Sequence, residues 1–266
     1  MKKGKTYLKN AFSIFSRLEM RILPGNIAFF FVLAMIPMVT LIVITASYAH
    51  ISIESVISFV QRFIPEEAST IIIDAISGKG FDTSVGAFNI IALISASNGT
   101  YAIINASNTI YKVKHRDILK DRIKSVVLFI MLLFLILFLI LVPMFGGKIL
   151  SLFYQNKAIE QLRFILHILK WPVTIFLIYM NLKLIYTIAP SKKIESRSTT
   201  YGALFTTTIW TIATLIFSYY IKHFGNYNIV YGNISSIIIL MIWLYIISYV
   251  FVFGMAINAA KLEEDI

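Results

Sequence analysis

Residues 89–111 read NIIALISASNGTYAIINASNTIY, a run without a single charge in which Asn89, Ser95, Asn98, Thr100, Asn105 and Asn108 interrupt the apolar residues. At about 1.5 Å per helical residue the run is long enough to cross a hydrocarbon core of about 30 Å. An amide left unpaired in hydrocarbon is costly, so these polar groups need somewhere other than lipid to point. With Asn98 set to zero and about 100° per residue, Ser95, Tyr101, Ala102, Asn105, Asn108 and Thr109 all fall within about 80° of it. One shared face predicts an inner helix whose polar side meets other helices or a water-filled cavity. Two accounts of that face are open. Amide and small side chains can simply let helices approach and bond, at about 0.6 kcal/mol per bond. Alternatively, Ser95, Asn98, Asn105 and Asn108 line a pathway, or bind a polar head group, near mid-membrane.

The rest of the chain has the same solvent. Its 266 residues are 58% hydrophobic and 14% charged, with a mean hydropathy of +0.81, more apolar surface than one water-soluble core of this size buries. Six apolar segments of spanning length are marked by the absence of charge, at about 27–49, 84–111, 125–145, 171–189, 201–221 and 233–258. The expected fold class is all-α, a polytopic membrane bundle with six transmembrane helices. The fourth segment is the weakest, opening at Trp171-Pro172 and carrying Asn181 and Lys183.

Basic residues orient the bundle. Lys2, Lys3, Lys5, Lys9, Arg17 and Arg21 precede the first segment; Lys112, Lys114, Arg116, Lys120, Arg122 and Lys124 fill the 112–124 connection; Lys192, Lys193 and Arg197 mark the 190–200 loop. The alternate connections are poorer, and by the positive-inside rule both termini lie in the cytoplasm. The net charge of +11 is thus spread over three membrane-flanking segments beside an anionic leaflet, which argues against a nucleic-acid surface.

Two segments are expected to lie on the bilayer. In TYLKNAFSIFSRLEMRI (6–22), Leu8, Ala11, Phe12, Phe15, Leu18 and Ile22 recur at helical spacing, with Lys9, Arg17 and Arg21 elsewhere around the axis. This is the pattern of a basic interfacial helix bound to anionic head groups, not of a cleaved signal peptide. Residues 51–77 repeat an amphipathic pattern on either side of Pro65-Glu66-Glu67, which predicts an extracytoplasmic helical hairpin. The expected organisation is a basic arm at 1–23, a six-helix domain at 24–262 and an acidic tail at 263–266.

Little in the chain points to catalysis. There is no cysteine, so thiolate metal sites and disulfides are excluded. His50, His115, His167 and His223 are scattered; His115 and Asp117 read as part of a solvated charge run, and His50 with Glu54 as an interfacial pair. No Walker loop, nucleophile elbow or dinucleotide fingerprint is present. No metal, cofactor or catalytic residue is expected.

NIAFFFVLAMIPMVTLI (26–42), SASNGTYAIINASNTIY followed by KVKHRD (95–117), and YGNISSIIILMIWLYIISYVFVFGMAINAA (231–260) resemble the YihY/BrkB family of bacterial inner-membrane proteins. The specific parts are Pro37, Ser95-Ala96-Ser97, the Asn98…Tyr101 pair, Tyr231-Gly232, Trp243-Leu244-Tyr245 and Gly254…Asn258; the threonine-rich TTTIWTIATLIFSYY (206–220) departs from the pattern. The resemblance implies six helices, cytoplasmic termini and a bacterial cytoplasmic-membrane location. It implies little chemistry, because members have been labelled ribonucleases, serum-resistance factors and transporters of envelope components. The functional expectation is a transporter, or a protein handling lipids or envelope components, with a polar pathway that Asn258 extends. Pro37, Gly99 and Pro143 are expected places for a helix to open. The alternative is a non-catalytic scaffold for envelope machinery; ribonuclease activity lacks a residue constellation. Substrate and oligomeric state are not written in the residues.

Overall fold

The structure, a computed structural model, describes residues 13, 16–48, 52–63, 69, 73, 86–114, 117–152, 158–224 and 231–264. Among the described residues seven α-helices follow in order: α1 (Leu18–Tyr48), α2 (Ile53–Phe63), α3 (Gly86–Ile110), α4 (Ile118–Leu152), α5 (Ala158–Ile188), α6 (Thr200–Phe224) and α7 (Ser235–Glu264), the last preceded by a 3₁₀ turn at Gly232–Ile234. No strand occurs among the described residues. All but α2 are 25 to 35 residues long, about 38 Å or more at the helical rise and longer than the hydrocarbon core is thick.

Among the described residues two helices also meet the requirement for apolar composition over a full span, Thr200–His223 and Ser235–Glu263, with shorter apolar stretches at Met20–Met35 and Pro172–Ile188. Only 22% and 39% of the best windows of the two spans are buried within the protein. Leu204, Ile212, Leu215, Ile216, Ile237 and Met241 are exposed. A soluble core helix would cover such side chains, so the bare apolar faces are those of a membrane protein.

Helix boundaries differ from the apolar segments in a consistent way, the helices running on past the ends of the charge-free runs. Leu18–Leu23 already belong to α1, which passes through Pro24 and Pro37; α5 begins at Ala158, upstream of Trp171, and contains Pro172. The 112–124 connection is a loop only as far as Asp117, since Ile118–Lys124 form the first two turns of α4. Helix α3 is unbroken at Gly99 and α4 at Pro143. The basic arm before residue 13, including Lys9, and most of the hairpin beyond α2 lie outside the described residues.

The core of described residues reaches both ends of the bundle, with a smaller cluster of Phe217 and Ile221 from the end of α6 and Ile239, Leu240 and Leu244 from the start of α7. Its main cluster takes Met20 and Ile27 from the start of α1, Ile103, Ile104, Ala106 and Ile110 from the end of α3, and Leu128 near the start of α4. Leu182, Ile185 and Tyr186 come from the end of α5, Ala203 from the start of α6, and Phe251 to Ala260 from the end of α7. Helix α3 packs on α1, α4 and α7, and its burial changes along its length: Ile90 and Ile91 are each 62% exposed, whereas Ile104 is fully covered.

Candidate functional site

Three places hold the polar contacts around the main cluster. The first is where α3 stops. Lys112 adopts φ 52°; the Val113 N–H donates to the Asn108 carbonyl at 2.9 Å and the Lys112 N–H to that of Thr109 at 3.1 Å. This pair of bonds closes the helix as a Schellman motif, with lysine in the left-handed position that glycine usually occupies. Five residues on, Asp117 starts α4: its Oδ1 accepts the Lys120 N–H at 3.1 Å, as an N-cap does. That backbone bond, helped by the Lys120 ammonium, holds the Asp117 carboxyl below its ordinary value.

With both helix ends fixed, Asn108 and Asp121 face each other, and both are buried. Asn108 Nδ2 donates to Asp121 Oδ2 at 3.1 Å and to Ser191 Oγ at 3.0 Å, while its Oδ1 accepts the Ser191 N–H at 2.7 Å. Ser191 Oγ donates in turn to Asp121 Oδ1. The result is a closed ring joining α3, α4 and the α5–α6 loop. Lys124, one turn further, donates to the Pro190 carbonyl at 3.1 Å; partial burial pushes its ammonium below the usual lysine value, against the pull of nearby Asp121.

The second place is the α3–α4 seam. Arg122 donates from Nη1 to Asn98 Oδ1 and from Nη2 to the Ile94 carbonyl, each at 2.8 Å. Its guanidinium carbon lies 5.5 Å from the centre of the Tyr101 ring, within cation–π range. Thr100 Oγ1 crosses to the Ser125 carbonyl at 2.7 Å. Gly99 is buried under Phe31 of α1, where an added Cβ would meet the ring at 3.4 Å. Ser95, Asn98 and Asn105 are each half-buried.

The third place joins α5, α6 and α7. Asn258 Oδ1 accepts the Gly202 N–H at 2.7 Å, one of the first-turn donors a helix leaves unpaired. A Cβ on Gly202 would fall on the Gly254 carbonyl and the Asn258 amide, and one on Gly254 on Thr206 Oγ1 and Tyr186 Oη. The Tyr186 hydroxyl donates to the Phe251 carbonyl at 2.9 Å and lies 2.7 Å from Thr206 Oγ1; having one proton to give, it accepts from Thr206. Small residues thus permit the approach and polar groups bond across it.

The polar stripe of α3 is therefore divided. Asn98 and Asn108 both face α4 but join different partners, and Asn258 belongs to the α6–α7 contact. Pro37, Gly99 and Pro143 sit inside continuous helices. Arg17 and Arg21 flank the start of α1, Arg21 exposed and the Arg17 carbonyl accepting the Met20 N–H at 3.0 Å. Sequence reasoning passed over Asp121 and Ser191 and counted Arg122 as a loop charge; the signal that could have found them was Asp117 as a helix start followed by Ile118, Leu119 and Ile123. Among the described residues no group of three His, Asp or Glu could hold a metal.

A family model described as virulence factor BrkB matches residues 11–265. The ribonuclease-like protein YfkH of Bacillus subtilis (strain 168) is 31% identical over 262 residues, covering 96% of this chain and 94% of that one. A UPF0761 membrane protein of Aliivibrio salmonicida (strain LFI1238) is 27% identical, covering 99% and 87%. One from Haemophilus influenzae (strain PittEE) is 33% identical over 81 residues, 30% of each chain. No solved structure matches. An all-helical bundle with bare apolar faces, matched over nearly its whole length, places this chain in the BrkB family of membrane proteins.

Proposed function

We propose that this protein crosses the bacterial cytoplasmic membrane six times with both termini inside, and that it binds or moves an amphiphilic or polar envelope compound along the polar face of α3. The observation that carries the reading is the half-buried face of Ser95, Asn98 and Asn105 with the Arg122 guanidinium set against it. Asn98 lies twelve residues before Ile110, about 18 Å from the end of α3, so polar and charged groups reach well into a spanning helix. Such groups are expensive there and mark substrate paths. Asn108 contributes as a support, its bonds already closed within the protein; Asn258 accepts the Gly202 N–H through Oδ1 while its buried Nδ2 has no partner among the described residues. The basic arm with Lys9, Arg17 and Arg21 docks on anionic lipid.

The second reading is a non-catalytic scaffold, favoured by the ring of Asn108, Asp121 and Ser191, which is satisfied without any ligand. Neither reading includes an enzymatic step, a cofactor or nucleic acid; the ribonuclease-like name is that of the Bacillus relative. Asn98→Leu and Asn105→Leu separate the two. In reconstituted vesicles, both variants should insert and fold yet lose lipid or solute flux by about tenfold or more, whereas a scaffold would show no flux to lose and a change in stability alone.

A further inference from the structure

We propose that Arg122, held by Asn98 and Ile94 and stacked beside Tyr101, is a binding site for the phosphodiester of an anionic phospholipid. It rests on the reading above only in placing α3 and α4 in a bilayer, and needs no transport.

A guanidinium has five N–H donors. Two of those on Arg122 are taken, by Asn98 Oδ1 and the Ile94 carbonyl, and neither acceptor carries a charge. The ion pairs among the described residues are Lys112 with Glu263 and Lys120 with Asp117; Arg122 has no carboxylate. It is also only half-buried. A cation on a lipid-facing seam, fixed at one edge and unneutralised at the other, is suited to a bidentate phosphate.

The surroundings select a lipid over a free anion. Turning about 100° per residue, Ile90, Ile91 and Ile94 lie within about 80° of Asn98 on α3, and Ile118 and Leu119 within about 60° of Arg122 on α4. All five are exposed, from 47% to 73%. Past Asn98 the same face of α3 bares no large apolar side chain, Ala102 being 2% exposed and Asn105 half-buried. Arg122 therefore stands where the bare isoleucine face ends. A phosphate held there would lay its acyl chains along Ile94, Ile91 and Ile90, away from the polar end of the bundle, as a lipid of that leaflet must. The two bonds to Asn98 and Ile94 fix the guanidinium, with the Tyr101 ring 5.5 Å away, which favours a forked contact over a diffuse surface attraction.

The test is native mass spectrometry of the full chain in detergent, titrated with phosphatidylglycerol, with phosphatidylcholine, or with sn-glycerol 3-phosphate as the free anion. The wild type should retain one phosphatidylglycerol with about tenfold preference over phosphatidylcholine. Arg122→Gln should reduce that preference to near unity, Arg122→Lys should keep part of it, and Lys192→Gln on the exposed α5–α6 loop should leave it intact. Wild-type protein that binds both lipids equally overturns the proposal whatever the variants do. So does an Arg122→Gln protein with unchanged preference, or full displacement of the lipid by glycerol phosphate, which would make the site one for a soluble anion. Flux is read separately on vesicles, so a lipid site without transport and transport without a lipid site are distinguishable.

Discussion

Asn108 shows what a single amide does in this bundle. Its three bonds reach a carboxylate, a hydroxyl and a backbone N–H, so removing it takes a donor from a buried carboxylate and an acceptor from a loop N–H together. Hydrogen bonds to a charged group are the stronger kind, and a buried charge deprived of a partner is costly. Asn108→Leu should therefore lower stability by about 3 kcal/mol, measured by thermal unfolding in detergent, and Asn108→Leu with Asp121→Leu should cost less than the two single changes added together. Additive losses would show that the ring is not a coupled unit. That Asn108 needs a polar partner was legible from its place in an uncharged run. Which partner it finds was not, because Asp121 and Ser191 stand 13 and 83 positions away and depend on how α3 ends and α4 begins.

At the scale of the helix, spanning length and polarity were legible and the ends were not. Charge-free runs mark the middles of the helices, but α4 and α5 both extend beyond theirs, and the first two turns of α4 read as loop because charges there suggest solvent. Asp121, Arg122 and Lys124 instead turn to α3 and the α5–α6 loop, while Ile118, Leu119 and Ile123 stay exposed. The α6–α7 contact was visible only as Gly254 and Asn258; its closeness depends on Gly202, which the sequence does not mark. Gly202→Ala would press a methyl group onto the Gly254 backbone and should cost about 2–3 kcal/mol. Gly25→Ala, where the nearest atom to an added Cβ is a Tyr245 ring carbon at 3.9 Å, should be close to neutral in the same melting assay. Equal effects at the two sites would contradict the packing described for α6 and α7.

For the whole molecule, the main buried cluster and the ring of Asn108, Asp121 and Ser191 lie where α3, α5 and α7 finish and α1, α4 and α6 start, and a smaller buried cluster joins the end of α6 to the start of α7. The other half of α3 bares isoleucine to its surroundings. Such an arrangement suits a protein that receives an amphiphile along a polar face meeting lipid. Because the chain has no native cysteine, that claim can be tested one position at a time. Ser95→Cys, Asn98→Cys and Asn105→Cys should each react with a membrane-impermeant, water-soluble maleimide in inside-out vesicles, as should a Lys114→Cys control in the α3–α4 loop. Ala102→Cys, which is buried, should stay unlabelled. If all three α3 positions are as shielded as Ala102 while Lys114→Cys reacts, the polar face is a dry helix contact and the pathway does not exist.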